Sequence, residues 1–432
     1  MDSDIVIVGG GAGGLELACK LGRKLGPARV TLVDRAQFHV WKPSLHEVAA
    51  GTLDIHQEGL SYQMLGHDNG FAFVCGPMTA LNTVARQLTV GALVAGGEQV
   101  LPSRELNYGT LVIAVGSVSN YFGVPGADAH TISLNATDDA EHFRLAMLKL
   151  LTQAEQHQRN AETAVIDIVI IGAGATGVEL AAELREASSA YAVYGFGHAE
   201  GGREVHITLL EGAARILAPL PERVSNAALR LLKKRNITVV TGCQVSAVGP
   251  GKVSVVGAPD YAADLCVWAA GIKAPALLGQ LGLPVTAKGG QVEVDAFLRV
   301  RGVEHLFALG DCAACVDAAG HPVPPRAQAA HQQASYLFKV LLARSNGRSD
   351  AVTPFRYRDY GSLVSIGQST TVGNLMGALR GARWFVEGSF ARLMYVSLHL
   401  LHHQAVLGTL RTGLLALARF LIKRGAPLVK LH

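Results

Sequence analysis

Three clusters in this 432-residue chain have residue types and spacings that can do chemistry. The first is Gly9-x-Gly11-x-x-Gly14, which follows the β-branched run Ile5–Val8 and opens a helical pattern from Leu15 to about Leu25. Glycines so placed permit a tight turn and let backbone N–H groups approach a pyrophosphate at a helix N-terminus. Asp34 closes the next strand, residues 29–33, about twenty residues on, where a carboxylate can accept a ribose hydroxyl. The second cluster repeats the first. The run Ile166–Ile171 leads into Gly172-Ala-Gly174-Ala-Thr-Gly177, a helical run Val178–Glu186 follows, and the strand Val205–Glu211 again ends in an acid. The third is Ala327-Gln328-Ala-Ala-His-Gln332, whose two glutamines share a helix face at i and i+4. Neutral amides there can bond a ligand carbonyl without the cost of burying a charge. Without context, two solvated glutamines on a surface helix are the plainer reading.

The elements that must position these clusters are α/β in character. Nearly half the residues are hydrophobic, only 17% are charged and 49 are glycine, which argues for a Gly-rich α/β enzyme of two or three domains and against extensive disorder. A net charge of +4 is too small to indicate a nucleic-acid partner. Six scattered cysteines form no small-domain framework and fit a reducing compartment. Two further apolar strands end in glycine, at Gly116 and Gly271, where backbone can pass close to a cofactor; a plain core strand is the alternative. The segment His305-Leu-Phe-Ala-Leu-Gly-Asp311 is another short strand, and helix-forming sequence follows from Arg326 after Pro324-Pro325. The first dinucleotide unit is therefore read as completed by this late segment, with the second unit inserted between. An insertion around 188–203 accounts for the long gap before Glu211. The expected boundaries are 1–122 and 291–350 for the outer domain, 123–290 for the inserted one and 351–432 for a C-terminal region.

Two such sites in one chain resemble the two-dinucleotide-domain flavoproteins. The resemblance implies FAD in the outer domain, NADH in the inserted one, and Asp311 on the ribityl–pyrophosphate region of the flavin. Glu211 would take the adenine-ribose hydroxyls of NADH and repel the extra phosphate of NADPH, a preference Arg215 could blunt. Glu179, two residues past the second loop, is either a first-turn acid favoured by the helix dipole or a group set between nicotinamide and flavin. The stretch Pro-Pro-Arg-Ala-Gln-Ala-Ala-His-Gln-Gln, soon after Gly-Asp, resembles the quinone-site motif of type II NADH dehydrogenases. Gly361-Ser-Leu-Val-Ser-Ile-Gly and Thr371-Val-Gly-Asn-Leu-Met-Gly377 are similar to bacterial members of that family, and the likeness runs to Lys430-Leu-His432. It implies a respiratory enzyme passing electrons from NADH through FAD to ubiquinone or menaquinone, without proton pumping. Ala327, Gln328 and Gln332 would line the quinone pocket, with Glu179 and Gln328 taking part in the chemistry. Competing readings are a sulfide:quinone oxidoreductase, another pyridine-nucleotide-dependent reductase, or a redox-inactive NADH sensor. Cys312-Ala-Ala-Cys315 stands where relatives carry no redox disulfide, and ordinary buried thiols are expected.

After Glu387 the chain carries no acid, and Arg392, Arg411, Arg419, Lys423, Arg424 and Lys430 lie among leucines. The charge-free run Leu393–Leu410 is long enough to span a bilayer, but His399, His402, His403 and Gln404 interrupt it, so a span is not expected. An in-plane amphipathic helix on an anionic leaflet is expected instead, with Arg411, Arg419 and Lys423 on one face. The location that follows is peripheral, on the cytoplasmic face of the cell inner membrane. The alternative is a helix packed on the protein's own core or on a second copy, as a homodimer. No metal site is expected from the histidines.

Overall fold

The computed structural model describes residues 2–159, 165–193, 205–348, 353–367, 370–376, 383–425 and 429. The strand Asp2–Val8 lies between Val30–Asp34 and Arg104–Ile113, all parallel, and Ala72–Cys75 extends the sheet beyond Val30–Asp34. Ile5–Val8 and Leu111–Ile113 are buried on both faces, as continuous apolar runs in a helix-covered parallel sheet should be. On the edge away from Asp2–Val8, Arg104–Ile113 takes two partners along its length. Its first four residues pair antiparallel with Gln87–Val90, and its last three pair parallel with Leu306–Ala308. The late segment thus completes the first sheet.

A second parallel sheet runs Ile132–Ser133, Leu265–Trp268, Ile166–Ile171, Val205–Glu211, Ile237–Thr241. Val118–Ser119 and Ile272–Lys273, the strands entering and leaving this unit, pair antiparallel as a neck. The helix after the second glycine loop reaches Val193, longer than the sequence pattern showed, and residues 194–203 of the expected insertion lie outside the described residues. An antiparallel sheet of Gly361–Ser365, Thr371–Met376 and Arg383–Glu387 leads into two tail helices, Ser389–Leu407 and Thr409–Gly425. Gly377 and the final Lys430–His432 fall outside the described residues.

The tail departs from expectation in which way it faces. Arg411 pairs with Asp68 and Arg419 with Glu58, both acids of the first unit, so these charges are engaged by the protein. Lys423 belongs to the same helix, but its side chain lies outside the described residues. Leu410 (79% exposed), Leu414, Leu417 and Leu421 face out, as do Phe390, Leu393 and Leu401 of the preceding helix. Ion pairing across the inner face is what sequence spacing could not see. No described helix is long and apolar enough to cross a membrane.

The tail histidines explain themselves by packing. His402 and His403 are buried, and the His402 ring lies tilted against Trp41 with ring centroids 4.5 Å apart. His39 Nδ1 lies 3.0 Å from the Gly10 carbonyl and His39 Nε2 3.0 Å from His402 Nε2. With His39 donating to Gly10, His402 must donate to His39, and both rings are neutral. Burial holds His39 and His403 down at about 4 and His399 at about 3, with mutual repulsion and Arg419 adding to it; His402 lies well below its usual value. His331 also bears on His402, and Glu58 pairs with the Arg419 guanidinium. Histidines of an undocked tail titrate near 6.5. Between that pH and about 4 the undocked state binds more protons, so docking is complete above pH 6.5 and weakens as pH falls. Trp41 emission should therefore change reversibly on acidification through that window in native protein. A flat response would contradict the neutral-histidine dock.

Candidate active site

The two glycine loops match in geometry, glycine by glycine. Gly9 and Gly172 both have φ +104°, and a Cβ at either would strike the backbone just past the neighbouring strand, at Ala114 or Ala269–Ala270. A Cβ at Gly14 or Gly177 would overlap the carbonyl oxygen of Gly9 or Gly172, so only glycine lets helix and strand close up. Gly11 and Gly174, in contrast, have nothing within 4 Å of a built Cβ, and both line the main cavity. The helix that starts at Ala12 has no side-chain cap, which leaves its first N–H groups for an anion. Asp34 accepts from Gly10 N at 2.6 Å and Ala36 N at 2.8 Å, and Glu211 repeats this with Ala173 N (2.7 Å) and Ala213 N (2.8 Å). Burial raises the Asp34 carboxyl, with the Gly10 and Ala36 N–H bonds opposing. Arg215 is engaged by Ser225 and the Leu217 and Ala218 carbonyls.

A cavity of about 1910 Å³ joins the loops to the rest of the site. That is well beyond the roughly 300–1,000 Å³ of a single small-ligand pocket, so it has room for more than one occupant. Gly11, Gly116, Gly174, Glu179, Asp311, Ala327 and Gln328 all line it, whereas Asp34, Glu211, Gly271 and Gln332 do not. Gly271 packs on Phe122, whose ring would meet a Cβ at 2.7 Å. Asp311 accepts from Ser117 Oγ at 2.8 Å, and Lys42 Nζ donates to the Ser117 carbonyl at 3.2 Å. Burial lowers the Lys42 ammonium while Asp311 and Asp139 oppose that. The helix Ala327–Ser345 brings its uncapped N-terminus, led by Pro325, to the cavity wall. Gln333, fully buried, accepts from Gly310 N at 2.7 Å and fixes the turn before Asp311.

The glutamine pair does more backbone work than expected. Gln332 bonds Arg358 through both ends of its amide, donating to the carbonyl at 2.8 Å and accepting from the N–H at 3.0 Å. Gln328 donates to the Gly361 carbonyl at 3.0 Å and accepts from Tyr360 N at 3.3 Å. Together they pin the extended segment 358–361 to the helix, and only Gln328 reaches the cavity.

Glu179 is 7% exposed and accepts from Ser365 N at 3.0 Å, with the Tyr395 hydroxyl of the tail helix as a second donor. His46 Nδ1 stands 3.7 Å from its other oxygen. Burial raises the Glu179 carboxyl, and His46 is the largest opposing influence. Lys42, His46, Ser117, Gln333, Ser365 and Tyr395 were not marked by sequence reasoning. The first two lie in Trp41-Lys-Pro-Ser-Leu-His-Glu47, whose proline and polar residues have the look of a plain loop, and nothing local marks Tyr395.

All six cysteines are free, and Cys312 and Cys315 are buried, their thiols pushed up by burial to about 12 and about 11. Protonated thiols are poor nucleophiles, which disfavours a sulfur-based mechanism. Glu58, His399 and His403 bring ligand atoms within 4.8 Å of one another, but the Arg419 guanidinium already sits among them, 3.5 Å from His403 Nε2.

This arrangement defines a class. The family model described as pyridine nucleotide-disulphide oxidoreductase matches residues 3–334. The type II NADH:quinone oxidoreductase of Haemophilus influenzae is 36% identical over 99% of this chain and 100% of its own length. The chain belongs to the type II NADH:quinone oxidoreductase family. The solved structure titled NDH2 from Plasmodium falciparum in complex with NADH has the same fold, with TM-score 0.81 at 19% identity, covering 99% of this chain and 100% of that one. A sulfide:quinone oxidoreductase from Aquifex aeolicus aligns at TM-score 0.72 and 16% identity over 94% of this chain and 92% of its own.

Proposed function

We propose that this chain carries two electrons from NADH, through bound FAD, to a membrane quinone, without pumping protons. The observation that supports it is the single cavity shared by both glycine loops, Glu179 and Gln328. The residues fit a flavin dinucleotide. Gly9–Gly14 and the free helix N-terminus would take its pyrophosphate, Asp34 its ribose, and Asp311 with Gly116 the ribityl side. When bound, FAD supplies the hydride acceptance and electron return that no side chain here can perform. Gly172–Gly177 and Glu211 would hold NADH, with Glu179 between nicotinamide and flavin. The positive N-terminus at Ala327 favours negative charge developing in the cavity. Gln328 would bond a quinone carbonyl from the edge of its clamp.

The outward leucines of both tail helices support peripheral attachment by apolar insertion on the cytoplasmic face of the inner membrane, with these helices lying in its plane. We assign the outer domain to 1–122 and 291–350, the inserted domain to 123–290 and the attachment region to 351–432.

The test is stopped-flow reduction by NADH followed by reoxidation with quinone. Gln328→Leu should bleach within a few-fold of wild type yet reoxidise about 10–100-fold more slowly, the effect of losing one well-placed polar group worth roughly 1.5–3 kcal/mol. Equal loss in both halves would place Gln328 on the wrong side of the site.

A further inference from the structure

Among the described residues, His46 Nε2 is a buried ring nitrogen with no hydrogen-bond partner. The residue is 2% exposed, lies on the short helix Leu45–Ala50 and lines the cavity. Leaving such a group unpaired costs about 1–3 kcal/mol, so the position is built for a partner that arrives with the substrate. Its other nitrogen stands 3.7 Å from Glu179, too far for a hydrogen bond but within ion-pair range. The remaining Glu179 contacts, from Ser365 N and Tyr395, are both donors. At this distance the Glu179 carboxylate can balance a positive charge that develops on the His46 ring.

Quinone reduction needs a proton. The quinone gains two electrons and two protons, whereas NADH gives two electrons and one proton as hydride, so each turnover draws one more proton from the medium. Resting on the quinone-reductase reading of the cavity, we propose that His46 is a catalytic residue, the general acid that delivers this proton through Nε2 to a quinone oxygen. The Nε2–H bond breaks as the quinol O–H bond forms, and His46 regains its proton from water. Glu179 holds the imidazole in orientation and balances its charge, while Tyr395 and Ser365 hold Glu179.

The experiment uses the FAD-loaded full chain with decylubiquinone as acceptor. H46A and H46Q should keep their flavin absorbance and bleach with NADH within about threefold of wild type. Their reoxidation at saturating quinone should fall about 100-fold or more, the usual worth of a general acid. The half-saturating quinone concentration should move little, and added imidazole should restore part of the H46A rate. Wild-type reoxidation in either variant overturns the proposal. So does a change confined to half-saturation, which marks a binding contact, or equal loss in both half-reactions, which marks the donor side. Wild-type enzyme that bleaches with NADH but is not reoxidised by quinone overturns the underlying reading as well, and so separates the two failures.

Discussion

A Gly177→Val protein is expected to purify yellow and to fail to bleach with NADH, whereas Gly14→Val should purify colourless. Both positions pack a helix against the glycine that opens the loop, and a Cβ at either overlaps a backbone carbonyl that no rotamer change can move. The helix must then back away from its strand, which pulls its N-terminal N–H groups off the phosphate they would bind. Overpacking of this kind costs about 1–3 kcal/mol, and 2.8 kcal/mol corresponds to a roughly 100-fold weaker complex. Flavin absorbance after purification and the rate of bleaching at fixed NADH read the two sites separately. The reverse pattern would exchange the assignments of the two domains.

Deleting the tail after Gly388 should release the protein from membranes and also cut quinone turnover about 100-fold or more, with NADH-driven bleaching held within about tenfold. The second effect follows because the helix Ser389–Leu407 is a wall of the site. Arg392, Tyr395, Ser397 and His399 line the cavity, and Tyr395 donates to Glu179. Removing the wall admits water, which weakens every polar interaction inside. Triple replacement Leu414→Glu, Leu417→Glu and Leu421→Glu should separate the two roles, since these side chains are more than half exposed. That variant should leave the membrane yet reduce a water-soluble quinone at near wild-type rate. Because Arg411 and Arg419 are spent on Asp68 and Glu58, high salt should release little wild-type protein. Sedimentation with anionic vesicles at low and high salt distinguishes leucine insertion from charge attraction.

Both glycine loops were legible because a strand–turn–helix is local, and its glycines answer steric demands set within a few residues. Closure of the first sheet by Leu306–Ala308 was legible too, through a β-branched-poor but apolar run ending in Gly-Asp. What could not be read was whatever two distant segments decide together. Spacing puts Gln328 and Gln332 on one face, but only the arrival of segment 358–361 shows that both bond its backbone and that one alone reaches the cavity. Spacing likewise gives the tail a basic face; its direction depends on Asp68 and Glu58, more than 340 residues earlier in sequence. His46 sits in a stretch whose Trp, Pro and Ser read as loop, and its partner Glu179 is supplied by the inserted domain.

The strand Arg104–Ile113, which waits for Leu306–Ala308 to cover its far edge, has a consequence for how the chain is made. Some 190 residues separate the two partners. At about 5–20 residues per second on the ribosome, the nascent sheet stands open for roughly 10–40 s. In that interval the inserted sheet, all of whose five strands fall between Ile132 and Trp268, can fold as a unit on the emerging chain. The order of assembly is then fixed by connectivity. The inserted sheet is ready first, and the outer sheet is completed only when Leu306–Ala308 leaves the exit tunnel.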